Sequence, residues 1–123
     1  MKLTNSQIYY TANAFNEAFA DFKGYIPAKA NFLLQKNISI LTAAAQEIEK
    51  ARMEIAKHYG VINEKENRYD IAPEHLTIVE QEMTDLLNIE QDLSIKTFSI
   101  EALGNIELTP AQMQIIMFMI DEE

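Results

Sequence analysis

The 123-residue chain has no cysteine and no tryptophan, and only three glycines and three prolines. Without cysteine there can be no disulfide, no thiolate nucleophile and no zinc–thiolate site. The glycines, at 24, 60 and 104, are too scattered to build a phosphate-cradling loop. No G-x-S-x-G stretch occurs, and His58 and His75 lack the i, i+4 spacing of a helical metal pair. The longest apolar run, Ile115 to Ile120, falls well short of the roughly 20 residues that cross a bilayer. The start, "MKLTNSQIYY", has no apolar core of signal-peptide length. A soluble protein of the cell interior is expected, with no membrane, metal or cofactor.

Positive charge is also scarce, and unevenly so. Residues 1–69 hold nine Lys/Arg against seven Asp/Glu, whereas residues 70–123 hold one base, Lys96, against twelve acids. The halves therefore carry +2 and −11, within a net charge of −9. A broad basic surface for nucleic acid is excluded on this count. The acidic half is either a solvated face or a surface that meets a basic partner protein.

What is present is helix. "LTNSQI" and "LTPAQM" open with the same device, Thr4 with Gln7 and Thr109 with Gln112 as capping boxes. Leu3/Ile8 and Leu108/Met113 stand where hydrophobic staples place their residues, and Pro110 takes the first helical position. Ile8, Ala12, Phe15, Phe19 and Phe22 form one stripe, so a helix is predicted over 5–22. Nothing interrupts a second helix from Ala28 to Tyr59, about 48 Å at ~1.5 Å per residue. Leu34, Ile38, Leu41, Ala45, Ile48, Ile55 and Tyr59 mark its seam. Arg52 stands where that seam expects an apolar side chain. Lys57 and His58 suit the helix dipole at its end, and Gly60 reads as its terminator.

"VINEKENRYDI" reads as a hairpin, and a third helix starts at Pro73 with Leu76, Val79, Met83 and Leu86 facing inward. "SIKTFSI" is the strongest strand candidate. The fold class expected is mainly α (α+β): one domain, residues 1–123, on a long central helix with a small hairpin or sheet and an apolar C-terminal helix.

That last helix leaves almost no polar side. Ile115, Ile116, Met117, Phe118, Met119 and Ile120 either form the rod of the monomer's core or also seal an interface between subunits. A second copy of the chain would also cover the long helix, so a homo-oligomer is expected.

Carboxylates are too many for any acid/base pair to stand out. The dense group Glu64, Glu66, Asp70, Glu74 and His75 lacks the alternation and central glycine of a calcium loop, and reads as a solvated hairpin. The one cluster with ligand-binding chemistry is cationic and aromatic: Arg52, Lys57, His58 and Tyr59, followed by Arg68 and Tyr69. Guanidinium forks and aromatic faces could hold an anionic, ring-bearing ligand such as a nucleotide, or could simply lie over the core and pair with the acidic half.

The stretches "MKLTNSQIY", "IPAKANFLLQKNISIL", "EIEKARMEIAKHYG" and "LTPAQMQIIMFMI" resemble a family of small uncharacterised proteins encoded by phages and prophages of Gram-positive bacteria. They cover the chain nearly end to end, but are helix caps and faces. The resemblance implies phage origin and action in the cytoplasm of the infected host, and supplies no catalytic residues. Two readings result. One is a non-enzymatic, host-directed protein that counters a bacterial process by occupying a host protein or sequestering a small anionic signal. The other is a virion or tail-assembly component or chaperone.

Overall fold

The computed structural model describes residues 1–121. The chain runs β1 (Lys2–Thr4), α1 (Asn5–Ala18), α2 (Ala28–Tyr59), β2 (Gly60–Asn63), β3 (Arg68–Ile71), α3 (Leu76–Leu87), β4 (Glu90–Asp92) and α4 (Pro110–Ile116). Short 3₁₀ turns precede α3, cover Ile100–Leu103 and follow α4. The fold is mainly α with a little β, built on one long central helix.

Both capping boxes form. Thr4 Oγ1 accepts the Gln7 N–H at 3.1 Å while Gln7 Oε1 accepts the Thr4 N–H at 2.8 Å, and Thr109 and Gln112 repeat the exchange. α2 covers the predicted span to the residue. α1 is shorter than its stripe suggests: it stops at Ala18, Phe15 and Phe19 stack with ring centroids 4.6 Å apart, and Phe22 meets Phe19 edge-on at 5.6 Å in the turn that follows. The stripe was an aromatic cluster that outlives the helix.

Gly60 does end α2, but not through a left-handed turn. Its backbone is extended, and a Cβ there would lie 2.6 Å from the Ala56 carbonyl oxygen and 2.9 Å from Ile71 Cδ1. The glycine lets β3 close onto the end of the helix. β2 and β3 form the expected hairpin, with Gly60 opposite Ile71 and Asn63 opposite Arg68.

"SIKTFSI" is not a strand. The segment is extended but makes one isolated parallel bridge, Phe98 to Ile120, and sinks Ile95 and Phe98 into the core. Strand pairing occurs instead just before it. β4 pairs antiparallel with β1, Lys2 opposite Asp92, in a second two-stranded sheet separate from the hairpin. What replaces a strand partner for 94–98 is a side chain. Asn37, fully buried in α2, donates through Nδ2 to the Lys96 carbonyl at 2.7 Å and accepts the Lys96 N–H at 2.9 Å. A carboxamide has the same donor and acceptor as a peptide group, so it can complete one rung of a ladder.

Asn5 and Gln112 act in the same way. Asn5 Nδ2 donates to the Leu86 carbonyl in the last turn of α3 at 2.8 Å, and Asn5 Oδ1 accepts from Gln91. Gln112 Nε2 donates to the Ala18 carbonyl at 2.9 Å, which closes α1. Among the described residues these three amides are the buried polar side chains, and no buried side-chain polar atom lacks a partner.

The terminal segment divides. Ile115, Ile116 and Met119 are buried in the protomer's own core, Phe118 and Ile120 are half-buried, and Met117 is 58% exposed. The α-helix gives way after Ile116 to a 3₁₀ turn, which rotates Met117 outward. The protomer itself therefore uses most of the surface the sequence offered as an interface.

Burial stops abruptly along the chain. From Glu49 to Ser94 no residue is buried, a stretch holding the last turns of α2, the hairpin, all of α3 and β4. Of the four residues expected to face inward from α3, Val79, Met83 and Leu86 are half-buried, and Leu76 is 47% exposed. The core lies at one end, and the α2 end, hairpin and α3 form an arm with no core of its own. Among the described residues no helix is long and apolar enough to cross a membrane.

Replacing Asn37 with Ala should lower unfolding free energy by about 2–3 kcal/mol, because the Lys96 N–H and carbonyl both lose their partner. Chemical denaturation measures it. A change within about 0.5 kcal/mol, the range of an ordinary surface substitution, would mean the amide pairing holds nothing in place.

Candidate functional site

The six cationic and aromatic residues singled out in sequence do not converge. They occupy three places along the arm. Arg52 lies on the side of α2 that meets α1. Its Nη1 donates to Glu49 Oε2 and to the Tyr9 hydroxyl, each at 2.8 Å, and Tyr9 donates to the same Glu49 oxygen at 2.6 Å. The guanidinium carbon stands 5.3 Å from the centre of the Tyr9 ring. Arg52 can interrupt the apolar seam because the seam has left the core by then: Ile48 is the last buried residue of α2.

Tyr59 lies two turns further along α2 and meets α3. Its hydroxyl donates to Glu82 at 3.3 Å, and its ring meets His58 edge-on at 4.6 Å and His75 at 5.8 Å. Lost hydration, and then the Glu82 charge, raise the Tyr59 pKa. Lys57 is exposed. Arg68 belongs to the hairpin, where Glu66 and Asp70 hold it at 2.8 and 3.1 Å. With Tyr69 it lines a groove of about 400 Å³ whose other walls are Met53, Ala56, Ile62 and Asn67. Asn67, at the end of the turn, takes a left-handed backbone with φ of 52°, which asparagine tolerates better than most residues.

Each arginine is thus already matched by carboxylates of its own chain. Glu49 illustrates the consequence. The hydrogen bond from Tyr9 holds its carboxyl below the usual range, the Arg52 hydrogen bond and charge add to this, and partial desolvation opposes them. Desolvation also works against the Arg52 charge, but Glu49 and Tyr9 outweigh it and raise that pKa further. This is a small polar staple between α1 and α2.

The staple lies beside two surface hollows. Tyr9 and Asn13 border two hollows, one of about 390 Å³ with Tyr10, Glu17 and Leu87, the other of about 270 Å³ with Thr42, Gln46 and Glu49. Tyr10 beside them is 65% exposed. Sequence reasoning passed over Tyr9, Tyr10 and Glu49. The signals were a "YY" pair off the stripe of α1 and a carboxylate three residues before Arg52, on the same helix face. A larger hollow of about 630 Å³ lies between the α1–α2 connection and the start of α4, and joins Phe22, Tyr25 and Pro27 to Leu103, Ile106 and Gln112.

No protein-family model, curated protein or solved structure matches the chain.

Changing Tyr9 to Phe should move the Glu49 titration midpoint upward, as read by carboxyl NMR. The folded-state pKa of Glu49 is depressed, so its stabilisation is present above the unfolded value of ~4.3 and fades as pH falls through the folded value. Glu49 is nearly half exposed, so the variant should lose no more than about 1 kcal/mol at neutral pH. An unchanged midpoint would remove Tyr9 as its main cause.

Proposed function

We propose that this chain is a phage-encoded, non-enzymatic protein that acts in the cytoplasm of the infected host by covering a surface of a host protein, as a counter-defence inhibitor. The observation that carries the binding reading is the surface around Tyr9. An aromatic ring held rigid by Glu49 and Arg52 separates two hollows, with the exposed Tyr10 ring alongside. Tyrosine and arginine in ordered, partly covered settings are the residue types that anchor protein–protein contacts. Their geometry is fixed before binding, which spares the entropy of ordering them.

A protein surface fits better here than a small anionic signal. Arg52 and Arg68 each hold intramolecular carboxylates, and neither the hollows beside Tyr9 nor the hairpin groove gathers two cationic side chains. A nucleotide would have to displace ion pairs to be bound. The phage origin and the action inside the host cell rest on the family resemblance of the helix-forming stretches.

The reading is tested by deleting the gene from its phage. Plating on a host without defence systems should be unchanged, plating on a host carrying the targeted system should fall, and complementation with Tyr10→Ala should restore it poorly. Mass spectrometry of purified particles should find no copy of the chain. Its presence in virions, or a plating defect independent of defence, would replace this reading by a role in assembly.

A further inference from the structure

The hairpin at the end of the arm is a two-stranded sheet with both edges open. Among the described residues, beyond the pairing of β2 with β3, no backbone hydrogen bond joins residues 61–71 to another element. The edges differ in chemistry. β3 reads Arg-Tyr-Asp-Ile, with charges at alternate positions that discourage further pairing, whereas β2 reads Gly-Val-Ile-Asn and carries none. Val61 and Ile62 are 74% and 55% exposed, and Met53, beside Ile62 in the groove, is 49% exposed. An uncharged, β-branched, exposed edge strand is a template for another strand.

Charge decides which strand. The net −9 lies in residues 76–123, which hold one base against ten acids, so that part of the chain repels a second copy of itself. Residues 57–75 lie outside that excess. They hold Lys57, Lys65 and Arg68 against Glu64, Glu66, Asp70 and Glu74, a net of −1 with the signs interleaved. A patch of mixed sign meets its own copy across a two-fold axis with bases opposite acids, which is the condition for a self-complementary contact.

We infer that β2 is a dimerisation strand: it pairs antiparallel with β2 of a second copy of the chain, giving a four-stranded sheet across a two-fold axis. The contact covers Val61 and Ile62 and gives the arm the buried surface it lacks alone. It leaves the Tyr9 surface free, so it goes beyond the host-binding reading and stands or falls separately. It also moves the subunit contact away from the terminal helix.

Native mass spectrometry and light scattering across a dilution series, on the full chain, test this. Wild type should be a concentration-dependent dimer. The double change Val61→Lys, Ile62→Lys should weaken it by at least about tenfold, since lysines would occupy the centre of the contact. Both sites are more than half exposed, so the far-ultraviolet spectrum should be retained. Met117→Lys, on the exposed side of the terminal segment, should leave the dimer intact. In wild type the β2 amides that point to its open edge should exchange more slowly as concentration rises. A monomer at all concentrations, a dimer indifferent to the double change, or one broken by Met117→Lys would each overturn the inference.

Discussion

Backbone at a helix end or in an irregular segment inside a fold must still satisfy its N–H and carbonyl groups, and here three buried carboxamides supply part of what it needs. Asn37 reaches 59 positions along the chain to Lys96, Gln112 reaches 94 back to Ala18, and Asn5 reaches 81 to Leu86. None of them pairs with another helix's side chain; each holds main chain. Ile95 and Phe98 can therefore enter the core on a segment that is neither helix nor strand. Phe98 is then held by the terminal segment, its N–H donating to the Met119 carbonyl and its carbonyl accepting from Asp121, each at 2.9 Å. The apolar end of the chain is sealed inside by hydrogen bonds as much as by burial.

The same economy explains the shape of the energetics. Apolar burial is concentrated where α1, the first two-thirds of α2, the 94–98 segment and α4 meet, and there Ile8, Leu34, Leu41, Ile116 and Met119 lose nearly all contact with water. Past Ile48 the helix continues with residues that are at most half-buried. The arm is kept by half-buried contacts and by local ion pairs such as Arg52–Glu49, which are worth little at an exposed site. A segment held so weakly by its own chain gains most from a partner. The rigid Tyr9 surface at the arm's base and the open β2 edge at its tip are two different offers of that kind.

Much of this was legible in the sequence. The capping boxes, the span of α2 and the hairpin follow from local chemistry that tertiary packing did not override. The end of α1 and the segment 94–98 were misread for one reason. Phe15, Phe19 and Phe22 keep helical spacing, and "SIKTFSI" keeps β-type composition, but both are governed by contacts with distant residues: Gln112 at the carbonyl of Ala18, Asn37 at the backbone of Lys96. A polar residue three positions after Leu34 and four before Leu41 does lie on the buried seam, so Asn37 carried a sign of its role. Nothing in the sequence said which backbone it would meet. The cationic–aromatic cluster failed to gather for a related reason. Arg52 and Tyr59 share one side of α2 but stand two turns apart, ~10 Å at ~1.5 Å per residue, so the first meets α1 and the second α3, while Arg68 stays with its own hairpin.

Native-state hydrogen exchange on dilute protein tests the central claim most directly, because it reads the free energy of opening residue by residue. The account predicts that the Lys96 and Phe98 amides exchange only with global unfolding, alongside those of α2 around Leu41. Amides of residues 61–87 should open at distinctly lower free energy. Uniform protection from Leu41 through Leu87 would contradict it, as would fast exchange at Lys96 in a folded core.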